Sequence, residues 1–296
     1  MQKYFIIAVL IVFGAACNKK TVEATGFTVT TDKDSYVLAD TIRFSFTGNP
    51  YYLTFYSGEP YHKYEYIDRV TAPGVPQLQF TTAITTGTPK NTLQLLVSTD
   101  FSGVYDSANI YQATWTDITI TSKVKLATST TTVASGVIDL SQFVTDDHPV
   151  YVAFKFTGAA NKAQGQWTVK SVALANVLAD STSHSLLGIA ESTAGFKAVP
   201  MKAPGVAWTI STSQLQIKGG TTTSSPEAEG WVISKPLNLR KVLPDTGTPL
   251  KNMTTTLSSF LYTYDVPGTY NATFVAANIN RYDEKGDIKE VSITVQ

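Results

Sequence analysis

Six tyrosines between residues 51 and 66 form the densest group of side chains suited to binding a ligand. Flat aromatic faces stack on the C–H bonds of a sugar, and a few polar groups then hydrogen-bond its hydroxyls. Tyr61, His62 and Tyr64 follow the turn Gly58-Glu-Pro60 and are predicted to reach solvent. For the whole set of six the structural alternative also applies, since alternating aromatics in a strand more often pack a core or the seam between domains. A carbohydrate site and a structural role are therefore both open.

Three further aromatic side chains are predicted to lie at the surface. Tyr105 and Tyr111 flank Asp106-Ser-Ala-Asn109 in a predicted loop, and Trp208 follows Pro204-Gly205 near the start of a strand. The remaining tryptophans lie in alternating strands and are predicted to be core residues: Trp115, Trp167 and Trp231. The full set of ligand-binding candidates is Tyr61, His62, Tyr64, Tyr105, Tyr111 and Trp208.

Metal binding is predicted only in the form of a structural calcium ion. The three histidines show no metal-ligand spacing, and there is no His-Glu-x-x-His motif. Calcium takes oxygen ligands from loop carboxylates and carbonyls, and Asp100, Asp106 and Asp139 lie in predicted loops between strands. Each of these acids also fits an ordinary solvated turn. No cofactor is required.

Catalytic signatures are absent from the chain. It contains no Gly-x-Ser-x-Gly, no phosphate-binding glycine loop and no dinucleotide fingerprint. Two-carboxylate hydrolysis depends on pairs that meet only in space, and no segment singles out such a pair. Lysine plus arginine equals aspartate plus glutamate, 23 each, so no global positive field exists to hold nucleic acid. The sequence favours a non-enzymatic protein that does not bind nucleic acid.

The N-terminus carries the layout of a signal peptide over residues 1–16. A cation is followed by the apolar run Phe5–Phe13, which is too short to span a bilayer, and by small residues before Cys17. This arrangement resembles a bacterial lipobox, which implies lipidation of Cys17, with residues 17–25 as a polar tether. The alternative is a secreted protein with one free thiol. With a single cysteine, no intramolecular disulfide can form.

Alternating strands near the C-terminus organise the rest of the chain. Two of them, within residues 260–279, flank Pro267-Gly268 and are predicted to pair with each other. They resemble the closing strands of PKD-type, immunoglobulin-like domains, and the best opening strands lie far upstream at Phe27–Thr30 and Thr41–Phe46. The predicted fold is therefore all-β, an immunoglobulin/PKD-like sandwich formed by residues 26–72 and 250–296.

A second β domain is predicted as an insert, residues 75–240. Short strands follow one another there at spacings typical of a sandwich or barrel. The segments Leu93–Gly103, Ala113–Thr116, Gly136–Ser141 and Tyr151–Phe156 occur in an order that resembles the jelly roll of cleaved-adhesin and galactose-binding-like modules. No helical period of useful length is present, and only Ala173–Leu178 is ambiguous.

One family resemblance covers nearly the whole mature chain. Phe55-Tyr-Ser-Gly-Glu59, then Tyr64-Glu-Tyr66 and Asp68-Arg69, are similar to the DUF5017 lipoproteins of Bacteroidetes-type bacteria. The segment Trp231–Arg240 and the Pro-Gly-Thr-Tyr motif ending at Tyr270 fit as well. The resemblance implies a lipid-anchored, cell-surface protein of the outer membrane, beside a SusC/SusD-like nutrient importer. It implies no particular chemistry.

Taken with the aromatic candidates, these features predict non-catalytic capture of a glycan or other nutrient beside such an importer. The alternative is an adhesion or accessory subunit that binds a protein partner, and a third interpretation is a glycosidase. A glycan binder should show exposed aromatics beside Asn, Asp or Arg. An accessory subunit should show a broad apolar patch with a polar rim, and a glycosidase should show a cleft with paired carboxylates.

Overall fold

A computed structural model of the protein describes residues 21–86, 92–191, 195–203 and 205–296. The predicted signal peptide and Cys17 lie outside the described residues. The strands, in chain order, are β1 (Thr28–Thr30), β2 (Ser35–Tyr36), β3 (Ile42–Thr47), β4 (Tyr52–Tyr56), β5 (Val75–Thr86), β6 (Leu93–Ser98), β7 (Thr116–Asp117), β8 (Val133–Ala134), β9 (Ile138–Asp139), β10 (Tyr151–Gly158), β11 (Gln166–Val177), β12 (Ser183–Gly188), β13 (Phe196–Lys202), β14 (Trp208–Ile210), β15 (Gln214–Lys218), β16 (Ala228–Ser234), β17 (Thr248–Lys251), β18 (Ser259–Tyr262), β19 (Gly268–Ile279) and β20 (Glu284–Val295). The described helical segments are α1 (Ser107–Gln112) and 3-10 turns at Tyr64–Tyr66, Ser141–Phe143 and Ile189–Glu191.

The chain folds into two compact units, and the predicted all-β class is confirmed. Of the described residues, 21–67 and 245–296 form the first, which we call the terminal unit. Residues 68–244 form the second, the inserted unit. The structural boundaries therefore lie several residues outside the 75–240 predicted for the insert. In the described ranges, no helix is long and apolar enough to cross a bilayer.

The terminal unit is a sandwich of two sheets. One has the order β1-β3-β18 and the other β17-β4-β19-β20-β2, with β2 parallel to β20 and the other pairs antiparallel. Along β3, Ile42, Phe44 and Phe46 are buried and the intervening residues are exposed, as expected of a strand with one face on a core. Phe274 of β19 meets Phe44 from the other sheet at 5.0 Å between ring centroids.

The strands on either side of Pro267-Gly268 do not pair with each other, so that prediction is wrong. Strand β18 pairs with β3, whereas β19 pairs with β4 and β20 in the opposite sheet. Tyr264 lies in the connection, 1% exposed, and its ring stacks on that of Tyr270 at 4.1 Å. Both strands alternate because they face one core from opposite sides, and a period-two pattern cannot distinguish this from direct pairing.

The inserted unit is a larger sandwich. Its five-stranded sheet has the order β13-β16-β10-β6-β7. Its second sheet follows the order β14-β15-β11-β5-β8, with β12 beside β11 and β9 beside β5. Phe80, Phe154 and Trp167 belong to the core cluster between them. The ambiguous segment Ala173–Leu178 lies almost entirely in β11, where residues 173–177 pair with β5.

The predicted tether is wrong from Val22 onward. Val22 is 7% exposed, and its N–H donates to Asp283 Oδ2 at 3.1 Å. Asn278 Nδ2 donates to the carbonyl of Glu23 at 3.0 Å, and Thr25 is buried as well. Residues 22–25 show no strand or helix periodicity, but side chains from β19 and the following turn bind their backbone. A free tether would have to end before Val22.

Candidate functional site

A groove of about 300 Å³ lies in the terminal unit, on the outer face of the five-stranded sheet. The sheet supplies Thr269, Asn271, Thr273 and Glu290, and the loop after β4 supplies Gly58, Lys63, Tyr64 and Glu65. Most of these side chains carry a hydrogen-bonding group, and Tyr64 adds an aromatic ring. The groove is therefore suited to a polar ligand.

The sheet side of the groove follows from the alternation of β19. Ala272 and Phe274 point into the core, so Asn271 and Thr273 lie on the opposite face, where Asn271 is exposed and Thr273 is only 1% exposed. Strand β20 pairs with β19 so that Glu290 lies opposite Thr273. Three polar side chains from two strands thus meet on one patch, although they are distant in sequence.

The loop side is held by a network of backbone hydrogen bonds. Gly58 N–H donates to His62 O at 3.0 Å, and His62 N–H donates to Glu59 O at 2.9 Å. The Lys63 N–H donates to Asp245 Oδ2 at 3.0 Å, and Thr246 N–H donates to Tyr61 O at 3.0 Å. These bonds fix the loop before any ligand arrives, which lowers the entropic cost of binding.

Gly58 allows the loop to approach β19 closely. Its φ is +83°, and a Cβ there would lie 2.8 Å from both the backbone N and O of Asn271. That distance is shorter than any ordinary contact, and the positive φ disfavours residues with a side chain. The backbone of Gly58 thereby forms part of the groove wall.

Two phenols, one half-buried and one buried, anchor the start of the loop. Tyr264 donates to the carbonyl of Ser57 at 2.8 Å, and Tyr262 donates to Glu59 Oε2. Burial, and next the hydrogen bond to Glu59, raises the pKa of Tyr262 to about 12. Burial also raises the pKa of Tyr264. Both groups therefore remain neutral donors at physiological pH.

Tyr64 is the sequence-predicted candidate that lines the groove. Its ring meets that of Tyr56 edge-on, with centroids 5.3 Å apart, and is half-buried. Tyr61 and His62 belong to the same loop and are exposed, but they do not line the groove. Tyr61 has a φ of +69°, and His62 Nδ1 lies 2.7 Å from the carbonyl oxygen of Thr246. Both residues shape the loop beside the groove.

The charged groups of the groove differ in their surroundings. The ammonium of Lys63 lies over the ring of Tyr66, 5.5 Å from its centroid. Glu65 and Glu290 are both exposed at the groove. Together with the exposed Asn271 and Thr269, they present acceptors and donors around the edge of the Tyr64 ring. Chemically, this arrangement can recognise hydroxyl groups on a ligand.

The remaining candidates lie in the inserted unit, and the prediction for Trp208 is wrong. Trp208 is 4% exposed, and its indole N–H donates to Gly230 O at 3.1 Å. A Cβ on Gly230 would approach Trp208 Cδ1 at 3.7 Å and Ile217 Cδ1 at 2.7 Å, so the glycine makes room for the packed side chains. Starting a strand after a Pro-Gly pair does not expose a residue when the strand lies over a neighbouring sheet.

Tyr105 and Tyr111 flank a short helix where the sequence predicted a loop. Asp106 caps α1 by accepting the N–H of Asn109 at 2.8 Å. Tyr105 packs against Phe101 and donates to Ser234 O at 2.9 Å, and burial raises its pKa to about 12. Tyr111 is 58% exposed and remains available to solvent. The sequence did contain a helix signal, since Asp is a preferred N-cap residue.

A second polar-aromatic cluster lies on the outer face of the five-stranded sheet of the inserted unit. Trp231 donates its indole N–H to Glu229 Oε1 at 2.8 Å, and Lys155 Nζ lies 5.2 Å from the Trp231 ring centroid. Trp115 packs on Trp231 at 5.1 Å. Trp231 is only 4% exposed, so its face is not open to a ligand. The cluster is a packed layer of the unit.

The structure does not bring the predicted calcium ligands together. Asp100 accepts hydrogen bonds from Ser98 and Thr114. Asp106 is the helix cap, and the N–H of Asn109 lowers its pKa. Asp139 accepts the N–H of Ser141 at 2.7 Å. Throughout the described ranges, no group of three or more His, Cys, Asp or Glu side chains could hold a metal ion.

Fold and groove together define an all-β protein of two sandwich units. Comparison with protein families assigns it further: residues 16–196 match the family described as "Domain of unknown function (DUF5017)". The chain belongs to that family. No protein with a curated description and no solved structure matches it.

Proposed function

We propose that this protein is a non-catalytic, lipid-anchored surface protein that captures a glycan or another hydroxylated nutrient in the groove of the terminal unit. The anchor is the lipobox-like Cys17, and the setting is the outer membrane beside a SusC/SusD-like importer. Family resemblance and the N-terminal layout support the setting. The groove supports the binding role.

The observation that carries the proposal is the chemistry of the groove wall. Asn271, Thr269 and the two glutamates offer hydrogen bonds, and Tyr64 offers part of an aromatic ring. Sugars are recognised by such a combination, because stacking desolvates their C–H faces while polar groups replace water at their hydroxyls. The pre-formed loop keeps these groups in place without a ligand.

The direct test is a glycan array followed by calorimetry, with the soluble protein beginning at Asn18. Tyr64→Ala and Asn271→Ala are expected to weaken binding of any hit by about tenfold or more, since each removes a direct contact worth about 1.4 kcal/mol. Tyr111→Ala is the matched control, because it removes an exposed tyrosine from the inserted unit. It should leave the affinity unchanged.

Two results would contradict the proposal. Binding that is lost in Tyr111→Ala but retained in both groove variants would place the ligand elsewhere. If the protein binds no glycan of a broad panel, the accessory-subunit alternative is favoured instead. A pull-down from outer membranes would then identify its protein partner.

A further inference from the structure

The outer face of the five-stranded sheet becomes apolar away from the groove. Strand pairing places Ile288 opposite Val275, and Tyr52 opposite Ala277. Ile279 follows at the end of β19, and Tyr282 lies in the turn before β20. We call this surface the hairpin patch: Tyr52, Val275, Ala277, Ile279, Tyr282 and Ile288. Its four larger exposed members are 40–52% accessible, Tyr52 at 40%, Ile279 at 40%, Ile288 at 46% and Tyr282 at 52%.

Groove and hairpin patch lie toward opposite ends of the same long strand. The groove residue Thr273 and the patch residue Val275 are neighbours on this face, whereas Asn271 and Ile279 are eight residues apart in β19, which corresponds to about 27 Å at about 3.4 Å per residue. One end of the face is therefore polar and indented, and the other is apolar. Exposed apolar groups that cluster in this way mark an interaction surface more often than isolated ones do.

The N-terminal segment is fastened beside the hairpin patch. Val22 N–H donates to Asp283 Oδ2 at 3.1 Å, and Asn278 donates to the carbonyl of Glu23. Asp283 and Asn278 flank the same β19–β20 turn that carries Tyr282. Cys17 precedes Val22 by five positions, so it cannot lie farther than about 18 Å from this point even with a fully extended chain. A lipid on Cys17 would hold the turn close to the bilayer.

The turn also carries the side chains that favour a membrane–water interface. Tyr282 is aromatic with a polar tip, and the guanidinium of Arg281 lies 4.6 Å from its ring centroid. Tyrosine is enriched at the headgroup level of membranes, and arginine pairs there with lipid phosphates. Of the nearby acids, Asp283 and Asp287 each have a lysine partner, Lys285 at 3.9 Å and Lys289 at 3.0 Å, and Glu284 is exposed opposite Ile279.

From this geometry we infer that the hairpin patch rests on the lipid bilayer, with Ile279 and Tyr282 at the boundary between headgroups and acyl chains. The inference rests on the lipid anchor of the proposed function. Apolar contact by the hairpin patch would add to the attachment that the lipid on Cys17 provides. The contact also orients the terminal unit, because it leaves the groove at the end of β19 away from the membrane.

The test uses the single cysteine as the point of attachment. The protein beginning at Cys17, which contains every described residue, is coupled through that thiol to a maleimide lipid in phosphatidylcholine vesicles with brominated acyl chains. Tyr282→Trp introduces the reporter, and Ile279→Trp is a second reporter on the strand. Val266→Trp is the matched control, since Val266 is 60% exposed and precedes the opposite, Gly268 end of β19.

All variants share the four native tryptophans, so only the emission added by each reporter is compared. Bromine quenches over a short range, and the emission added at position 282 or 279 is expected to fall by about half or more if the patch lies at the acyl boundary. The emission added at position 266 should not fall. Equal quenching at all three positions, or none at 282 and 279, would overturn the inference.

Glycan binding by the untethered protein is a separate readout. If the untethered protein binds no glycan while the reporters are still quenched on vesicles, the capture proposal is contradicted and the membrane contact is still supported. Absence of a lipid on Cys17 in cells, shown by the mass of the mature N-terminal peptide, would overturn the membrane contact and leave the groove unaffected.

Discussion

The loop after β4 can lie close to β19 because residue 58 is a glycine. We expect Gly58→Ala to lower the unfolding free energy of the terminal unit by about 1–3 kcal/mol, because it combines a positive φ with a collision against Asn271. Ligand affinity should fall as well, since the loop must move away from the strand. Denaturant titration followed by circular dichroism measures the stability change.

Gly26→Ala is the control that separates the effect of the positive φ from the effect of the collision with Asn271. Gly26 also has a positive φ, +55°, but a Cβ there would meet nothing within 4 Å. Its substitution should cost only about 1 kcal/mol, the conformational part alone. Equal losses in the two variants would show that the approach of Gly58 to Asn271 is unimportant.

The groove residues on the sheet show what sequence patterns leave out. Tyr64 was predicted from its aromatic neighbourhood and the preceding turn, both of which are local. Asn271, Thr273 and Glu290 were missed because nothing local marks an outward polar residue on a strand as functional. Their proximity comes from the β19–β20 register and from a loop that precedes β19 by some 200 residues of sequence.

At the scale of secondary-structure elements, the alternation of apolar and polar residues predicts where the strands lie. It does not predict which strands pair with each other. The predicted strand Thr41–Phe46 differs by one residue from β3, because its three apolar residues all face the core. The pairing of β18 with β19 was wrong because the same alternation suits two strands that face each other across the core. Helix α1 was missed since six residues are too few to show a helical period.

Docking of residues 22–25 depends on Asn278, which is 5% exposed. Its side-chain oxygen accepts the N–H of Tyr51 at 2.7 Å while its amide donates to Glu23. Asn278→Ala should leave these backbone groups without a partner, cost about 1–3 kcal/mol and speed amide exchange in residues 22–25. Hydrogen exchange with mass spectrometry resolves this segment.

Ile279→Ala is the control for that experiment. It alters the next residue of β19, whose side chain points to the other face of the sheet. Exchange in residues 22–25 should stay at the wild-type rate. If Asn278→Ala also left the rate unchanged, the segment would be held by contacts other than this side chain.

At the scale of the whole molecule, residues 21–67 and 245–296 fold into one unit although residues 68–244 separate them. The contacts within each unit explain how this is possible. In the terminal unit, Asp245 N–H donates to Tyr66 O at 3.1 Å, so the points where the chain leaves and returns are adjacent. In the inserted unit, Thr71 pairs with Lys241, and Val242 N–H donates to Val70 O at 3.0 Å. The chain therefore enters and leaves each unit at adjacent backbone positions.

Because the ends of each unit lie together, each is expected to fold without the other. A chain in which residues 68–244 are replaced by a short Gly/Ser linker should keep the terminal sandwich, since that linker has little distance to span. Residues 68–244 alone should also fold. All four tryptophans lie in this piece, so tryptophan emission reports its unfolding, while circular dichroism follows the tryptophan-free terminal unit.

The unfolding transition of each piece should match the one it shows in the full chain. A terminal unit that remains unfolded with the linker would show that its two halves require the insert to associate.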